Sequence, residues 1–314
     1  MARASAGSSR SAGPERRCRA GRQDGVALLA ALMVVAMATL LAARLLVAQD
    51  AFVTQIQAER DILQAEQIAR AGVDWARAML MEDMMSNDVD HPGEPWAREV
   101  PAIDAEGGRI SGRLRDAQAR FNINALIGSQ NAIDRPMLAA YVRLLGAAGV
   151  DPALGPRLAE WMRMSGERKA ARDGRESMPG GRLWFALADL ERVDGYTPAV
   201  LERLLPHLVA LPLRTPINVN TADVIVLAAA GLTPAQAAGA VETRQRNWFR
   251  DVGDFVDRTR PQGFVAGIAV TQSMFFEAQV AARYHDARLT MIASLRRRPG
   301  RGVDVVIMRV GGVQ

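Results

Sequence analysis

The side chains that most often carry out catalysis are sparse and scattered in this sequence of 314 residues. A nucleophile needs a base within reach, and a metal site built on one element needs ligands at short spacing. The three histidines, His91, His207 and His285, are isolated from one another, and the chain has no HExxH, no CxxC and no glycine-rich phosphate loop. Ser165 lies in Met-Ser-Gly-Glu rather than in a Gly-x-Ser-x-Gly turn. We therefore predict a protein that is not an enzyme and has no cofactor.

The positive charge of the chain is concentrated at its start. The net charge is +5, yet residues 1–25 hold six of the 39 basic residues and two of the 34 acidic ones. The remainder has 33 basic and 32 acidic groups, so its net charge gives no reason to expect that it binds a polyanion. Cys18, the one cysteine, also lies in residues 1–25, which we call the leader. Without the leader the chain would have no thiol, which is compatible with an oxidising compartment.

One phrase does point toward nucleic acid. Two helices joined by a hairpin are predicted by the segment Ile-Asn-Val-Asn-Thr-Ala at 217–222, followed by Gly231 and Thr233-Pro234. The same six-residue segment also opens helix-hairpin-helix domains of DNA-binding competence proteins. In the DNA-binding form two glycines free backbone N–H groups to meet a phosphate. Here the second glycine is missing and Pro234 has no N–H. We expect a structural helical module and no nucleic-acid partner; a membrane-tethered DNA-binding protein is the alternative.

Two asparagines follow the first predicted strand, which lies in the segment that begins at Arg109. Asn122 and Asn124 offer amide oxygens that could act as polar ligands. Short amides also tie down the backbone where a strand leaves a sheet, and that is the interpretation we favour.

The element on which the rest of the chain depends is a long amino-terminal helix. The eighteen residues Val26–Ala43 carry no charge and would span about 27 Å as a helix, close to the hydrocarbon thickness of a bilayer. No proline interrupts the pattern, which becomes amphipathic and predicts one helix from about Val26 to about Met84. Small residues on its apolar stripe would let a sheet or a second helix approach closely: Ala65, Ala69, Gly72 and Ala76.

The rest of the chain is predicted to form helices followed by strands. Residues 136–212 are helical in character, interrupted by a polar stretch at 166–181 that predicts a mobile loop. Alternation then predicts strands around 275–282, 288–295 and 303–310, with a hairpin turn at 299–302. Four arginines crowd that turn and are interpreted as a solvated loop: Arg296, Arg297, Arg298 and Arg301.

A basic leader that ends in glycine before an apolar helix resembles the class III signal of type IV pilins and type II secretion pseudopilins. The resemblance implies that a prepilin peptidase cuts after Gly25 and leaves Val26 as the new amino terminus, with methylation as an accompanying modification. It also implies a single-pass protein of the bacterial inner membrane whose carboxy-terminal domain lies in the periplasm. Most of the family has a glutamate at the fifth mature position, where this chain has Ala30.

The lack of that glutamate is typical of the minor pseudopilin K, and three further segments resemble that family: Ala-Arg-Phe-Asn-Ile-Asn-Ala-Leu at 119–126, Leu-Ala-Asp-Leu-Glu-Arg-Val at 187–193, and Pro-Ile-Asn-Val-Asn-Thr-Ala at 216–222. The resemblance implies a subunit that caps the pseudopilus tip and primes its assembly with minor pseudopilins I and J, for export of folded proteins across the outer membrane. A minor pilin of a type IV pilus is the second alternative.

The implied fold is α+β: a pilin-like long helix packed on an antiparallel sheet, with a large inserted all-helical domain of SAM-like or helix-hairpin-helix-like type. The expected division is a leader at 1–25, the helix at 26–90, pilin-like parts at 91–130 and 263–314, and the insertion at 131–262. Family members often bind calcium after the tryptophan matched by Trp161. This chain has Met162, Arg163 and Met164 there, and an arginine repels a cation, so we expect no such site.

Overall fold

The computed structural model describes residues 24–105, 107–173, 185–265 and 267–313, and for 24, 168–173 and 313 the backbone alone. The described chain belongs to two compact units, Met1–Arg60 and Asp61–Gln314, which are taken separately below. The predicted leader falls almost entirely on residues 1–23, which lie outside the described part.

The predicted long helix is confirmed. Helix α1 runs without a break over Asp24–Ser86, within about a turn of the expected ends. In the first unit its residues are exposed from Gly25 onward, except for Ile56, which is partly buried. In the second unit one face of α1 is buried while the opposite face stays in solvent, as the three- and four-residue spacing predicts.

The second unit contains an antiparallel sheet of five strands, which are in sheet order β1 (Val100–Ala105), β2 (Gly108–Asp116), β7 (Phe275–Tyr284), β8 (Ala287–Arg298) and β9 (Gly302–Val313). Strands β7 to β9 correspond to the three strands predicted near the carboxyl end. Burial alternates along β8, so every second side chain points into the core that the sheet shares with α1.

The small residues of α1 do bring the helix close to the sheet. Ala65 and Ala69 are completely buried, and Gly72 lies against strands β2 and β7. A Cβ atom on Gly72 would stand 2.6 Å from Ile110 Cδ1 and 2.7 Å from Val280 Cγ1, inside van der Waals contact. The prediction of a close approach at this stripe is therefore confirmed, and Gly72 is the residue where it is tightest.

Strands β2 and β7 are neighbours in the sheet, yet residues 117–274 lie between them in sequence. The described residues of this segment form a helical body around their own buried cluster, which includes Phe121, Tyr141 and Phe255. Its longer elements are α2 (Arg135–Ala147), α3 (Leu154–Asp173), α4 (Pro198–Leu204), α5 (Val224–Ala229), α6 (Pro234–Arg246) and α7 (Val252–Thr259), with short pairings of β3 (Phe121–Asn122) with β4 (Leu208–Val209) and β5 (Ile217–Asn218) with β6 (Ala269–Val270).

Capping residues set the starts of these helices. Asp134, Thr197 and Thr233 each accept a hydrogen bond from a backbone N–H of the first turn, and a proline follows in that turn. One expectation was wrong in part: the polar stretch at 166–181 is not all loop, because α3 continues to Asp173. Its lysine, arginines and alanines are good helix formers. Residues 174–184 lie outside the described part.

Candidate functional site: an exposed apolar helix and a buried polar junction

The first part of α1 is an apolar surface with no protein packed on it in its own unit. Its best eighteen-residue window has a mean hydropathy of 2.6 and none of it is buried; Met33 is 77 % exposed. The helix is long and apolar enough to cross a membrane, on length and composition. Exposure of this much apolar surface is stable only in lipid or against other apolar helices.

The three residues singled out for processing and assembly lie in the first turns of this helix. Gly25, Val26 and Ala30 are all exposed. Ala30 lies among apolar neighbours, and residues 25–43 contain no carboxylate that could pair with the amino terminus of another subunit. Cleavage after Gly25 stays a prediction.

The second feature lies between the sheet and the helical body, and we call it the polar junction: Asp83, Asp90, Asp116, Asn218, Ser273 and Arg297. Its cation is Arg297, which is 3 % exposed. One terminal nitrogen of Arg297 lies 2.6 Å from Asp90 Oδ1, and the other is paired with Asp83 at the end of α1. The guanidinium also lies over the ring of Phe276, 4.4 Å from its centroid. Arg297 thus joins β8 to the chain that leaves α1.

Asp116, at the end of β2, is the acceptor at the centre of the junction. Its Oδ2 accepts from Asn218 Nδ2 at 2.9 Å, from Thr221 Oγ1 at 2.6 Å and from Ser273 Oγ at 2.7 Å. Its Oδ1 accepts from the backbone N–H of Gln118 at 2.7 Å. Because Asn218 and Thr221 belong to the helical body, this carboxyl fixes that body to the end of a sheet strand.

The junction holds more carboxyls than cations. Burial raises the pKa of Asp90 from 3.8 to about 7, against the opposing effects of Arg297 and of the Ser273 N–H. Burial also raises the pKa of Asp116, and its four hydrogen-bond donors oppose that rise. Glu94 lies close to Asp83 and Asp90, but its carboxylate already accepts from Trp96 Nε1 at 2.7 Å and from the His91 N–H at 2.8 Å. The guanidinium of Arg297 supplies the positive charge that these acids need.

The sequence-based interpretation of the four arginines as a solvated loop was wrong for three of them; Arg301 is exposed in the turn, as expected. Arg296, Arg297 and Arg298 are not part of a solvated turn, because β8 continues through Arg298. The signal was present in the pattern: Leu289, Met291, Ala293 and Leu295 alternate inward, and Arg297 is next in phase. A buried arginine contradicts the usual preference for the surface, and its acidic partners are more than 200 residues away in sequence.

The two asparagines after β2 behave as the sequence suggested. Asn122 Nδ2 donates to the Leu213 carbonyl at 2.7 Å, and its Oδ1 accepts from the Leu211 N–H at 3.2 Å. Asn124 Nδ2 donates to the carbonyls of Phe185 and Leu211. Both are buried, and the interpretation that they tie down the backbone is confirmed.

The helix-hairpin-helix prediction is confirmed as well, with a later first helix. Helix α5 begins at Val224 with Asp223 as its cap, because the 217–222 phrase is used in β5 and the polar junction. Gly231 has a φ of +93°, and a Cβ there would lie 2.6 Å from the Gln262 carbonyl, so glycine is required. Arg244 Nη1 donates to the Val219 carbonyl at 2.7 Å rather than facing solvent. This geometry favours a structural module.

Charged side chains around Trp161 also form ion pairs with one another. Arg163 lies 2.6 Å from Glu160 and is paired with Glu167 one turn later. A guanidinium therefore stands among the nearest carboxylates of this helix.

Comparisons with known proteins agree with this architecture. Two family models described as type II secretion system (T2SS), protein K, match residues 119–213 and 217–272. Type II secretion system protein K of Pseudomonas aeruginosa is 28 % identical over 92 % of this chain and 93 % of its own length. The protein of the same name from Klebsiella pneumoniae is 27 % identical over 92 % and 97 %. The chain belongs to the type II secretion system protein K family.

As a family member the chain is a minor pseudopilin. A chain in the crystal structure of the GspK–GspI–GspJ complex from enterotoxigenic Escherichia coli has a TM-score of 0.67 and 21 % identity, and the match covers 82 % of this chain and 99 % of that one. That likeness bears on the fold, and it confirms the expected α+β, pilin-like architecture with a helical domain.

Proposed function

We propose that this pseudopilin caps the tip of the pseudopilus and primes its assembly, so that folded proteins are exported across the outer membrane. The observation that carries the proposal is the topology: a helical body of residues 117–274 is inserted between two adjacent strands of a pilin-like sheet. Such a body adds bulk that a stackable subunit would lack. The polar junction holds it to the sheet through Asp116.

The apolar part of α1 supports an inner-membrane anchor, with residues 61–314 in the periplasm. Prepilin peptidase would cut between Gly25 and Val26 on the cytoplasmic side. Since the mature helix would present Ala30 where most pseudopilins present glutamate, it brings no acid to pair with a neighbouring amino terminus. Association in the membrane then depends on helix packing, which suits a subunit at the end of a filament.

Minor pseudopilins I and J are the proposed partners. The support is the fold shared with a chain of the solved complex that contains K, I and J proteins. No cofactor is part of the proposal. Calcium is left out of the segment after Trp161 because Arg163 pairs with both Glu160 and Glu167, the carboxylates nearest to it on α3.

The test is reconstitution of the full-length chain with full-length cognate I and J proteins in detergent, followed by size-exclusion chromatography and native mass spectrometry. We expect one complex that contains one copy of each protein. Titration with duplex DNA in the same detergent provides the control for the alternative function. Failure to form the ternary complex, or salt-sensitive micromolar DNA binding, would contradict the proposal.

A further inference from the structure

A narrow apolar groove runs between α1 and the edge of the sheet formed by β1 and β2. It is lined mainly by apolar residues and is partly open to solvent. We call it the Trp75 groove after one of its lining residues, which also include Gly72, Ala76, Met79, Trp96 and Arg98. The side chain of Trp75 is 48 % exposed, whereas Trp96 at the inner end is 3 % exposed.

The shape of this groove follows from the close approach of α1 at Gly72. Because Gly72 and Ala76 are small, the helix lies near the sheet there, and the larger Trp75 and Met79 also line the groove. Half-exposed tryptophan next to an apolar hollow is the arrangement in which truncation of one side chain most often costs a large share of binding energy.

The charged residues that line the groove are all positive. None of the residues that line it is acidic, and two are arginines. Arg113 is occupied, since its Nε and Nη2 donate to Gln279 at 3.0 and 2.6 Å. The exposed guanidinium of Arg98 has no hydrogen-bond or ion-pair partner among the residues that the structure describes. An apolar hollow with an unpaired cation at its rim is complementary to an apolar segment that carries a carboxylate.

We propose that the Trp75 groove is a docking site for an apolar segment of a partner pseudopilin, with a carboxylate of that segment paired to Arg98. The choice of partner class rests on the proposed function; the site and its chemistry rest on the groove. Burial of Trp75 supplies most of the binding energy, while Arg98 selects and orients the segment.

The chain provides matched controls for both residues. Met85 lies on α1 and is 85 % exposed, but it does not line the groove. Arg301 is an exposed arginine in the turn between β8 and β9, also outside the groove. Arg98→Lys keeps the positive charge, so it separates pairing with a carboxylate from packing of the side chain.

The experiment measures affinity of the full-length chain for full-length cognate I and J proteins, each alone and both together, in detergent. We expect Trp75→Ala and Arg98→Glu each to weaken binding of a pseudopilin at least about tenfold, and Met85→Ala, Arg301→Glu and Arg98→Lys to change it less than about twofold. A photo-crosslinking amino acid at position 75 should capture that pseudopilin, and the crosslinked peptide should contain aspartate or glutamate. Replacement of that aspartate or glutamate by lysine in the partner should restore its binding to the Arg98→Glu variant.

Two results would overturn the inference and leave the proposed function standing: a ternary complex that forms with unchanged affinity in both groove variants, or capture at position 75 of a protein that is not a pseudopilin. If the wild-type chain forms no complex with I and J at all, the proposed function fails. Arg98 is exposed, so Arg98→Glu tests the groove even if Trp75→Ala unfolds.

Discussion

The helix–sheet contact and the polar junction join parts of the same unit by opposite means. Where α1 crosses the sheet, the contact is made by Ala65, Ala69 and Gly72 against apolar strand residues. Where the helical body meets the sheet, the contact is made by Asp116 and Arg297 with their hydrogen-bonded partners. An apolar contact gains free energy from burial alone and tolerates small shifts. A buried polar contact depends on the arrangement that brings its donors to its acceptors.

We infer from this difference that the helix–sheet contact supplies stability, whereas the polar junction sets the position of the helical body relative to the sheet. A subunit whose inserted body must face the same way in every copy needs the second property. Variants at each contact can be compared by the free energy of unfolding of the full-length chain in detergent.

The largest effect is expected at Arg297. Arg297→Met keeps most of the side-chain volume but leaves Asp83 and Asp90 without their cation, which should cost about 3–5 kcal/mol of unfolding free energy. Urea titration followed by tryptophan fluorescence measures it, and Arg301→Met in the exposed turn is the control. Adding Asp83→Asn and Asp90→Asn should recover much of the loss. A loss of less than 1 kcal/mol would mean that the junction is not held by charge.

The next effect is a dependence on pH. The pKa of Asp90 is about 7 in the folded chain and 3.8 as its ordinary value, so the folded chain keeps the proton at higher pH than the unfolded chain does. The contribution is fully present below about pH 4 and is lost as pH rises through about 7, by at most about 4 kcal/mol. The Asp90→Asn variant should lack this fall, and parallel curves for the two proteins would contradict the assignment.

A smaller effect is expected at the apolar contact. Gly72→Leu must push Ile110 and Val280 away from α1, because even a Cβ would lie 2.6 Å from Ile110. Overpacking of this kind should cost about 1–3 kcal/mol. Ala71→Leu, on the exposed side of the same turn, is the matched control and should be nearly neutral. The same urea titration reports it, and equal stability of the two variants would show that the contact is loose.

The smallest effect concerns one hydrogen bond of the junction. Thr221→Val keeps the shape of the side chain and removes one of the four donors to Asp116, so about 1 kcal/mol should be lost. Amide hydrogen exchange in 217–222 should rise in this variant and stay unchanged in Gly72→Leu. A reversed pattern would contradict the division of roles between the two contacts.

Much of the fold could be predicted from the sequence because its signals are local. Apolar periodicity without proline predicted the course of α1, and Thr-Pro pairs predicted the starts of α4 and α6. The small residues on α1 predicted a close contact with either a sheet or a second helix. Those signals depend on neighbours within one or two turns of chain.

The polar junction could not be predicted because its partners are far apart in sequence. Asp116 and Asn218 lie in segments that only the insertion topology brings together, and Arg297 looked like a member of a basic turn. The same holds for the Trp75 groove: Trp75 and Arg98 are recognisable as members of one surface only when α1 lies on the sheet.

The central claim, that this pseudopilin occupies the tip, can be tested by locating it on assembled filaments. In cells that overproduce the major pseudopilin, gold-labelled antibodies against residues 61–314 can be counted along sheared pseudopili by electron microscopy. We predict label at one end of a filament and none along its length. Label distributed along the filament body would contradict the claim.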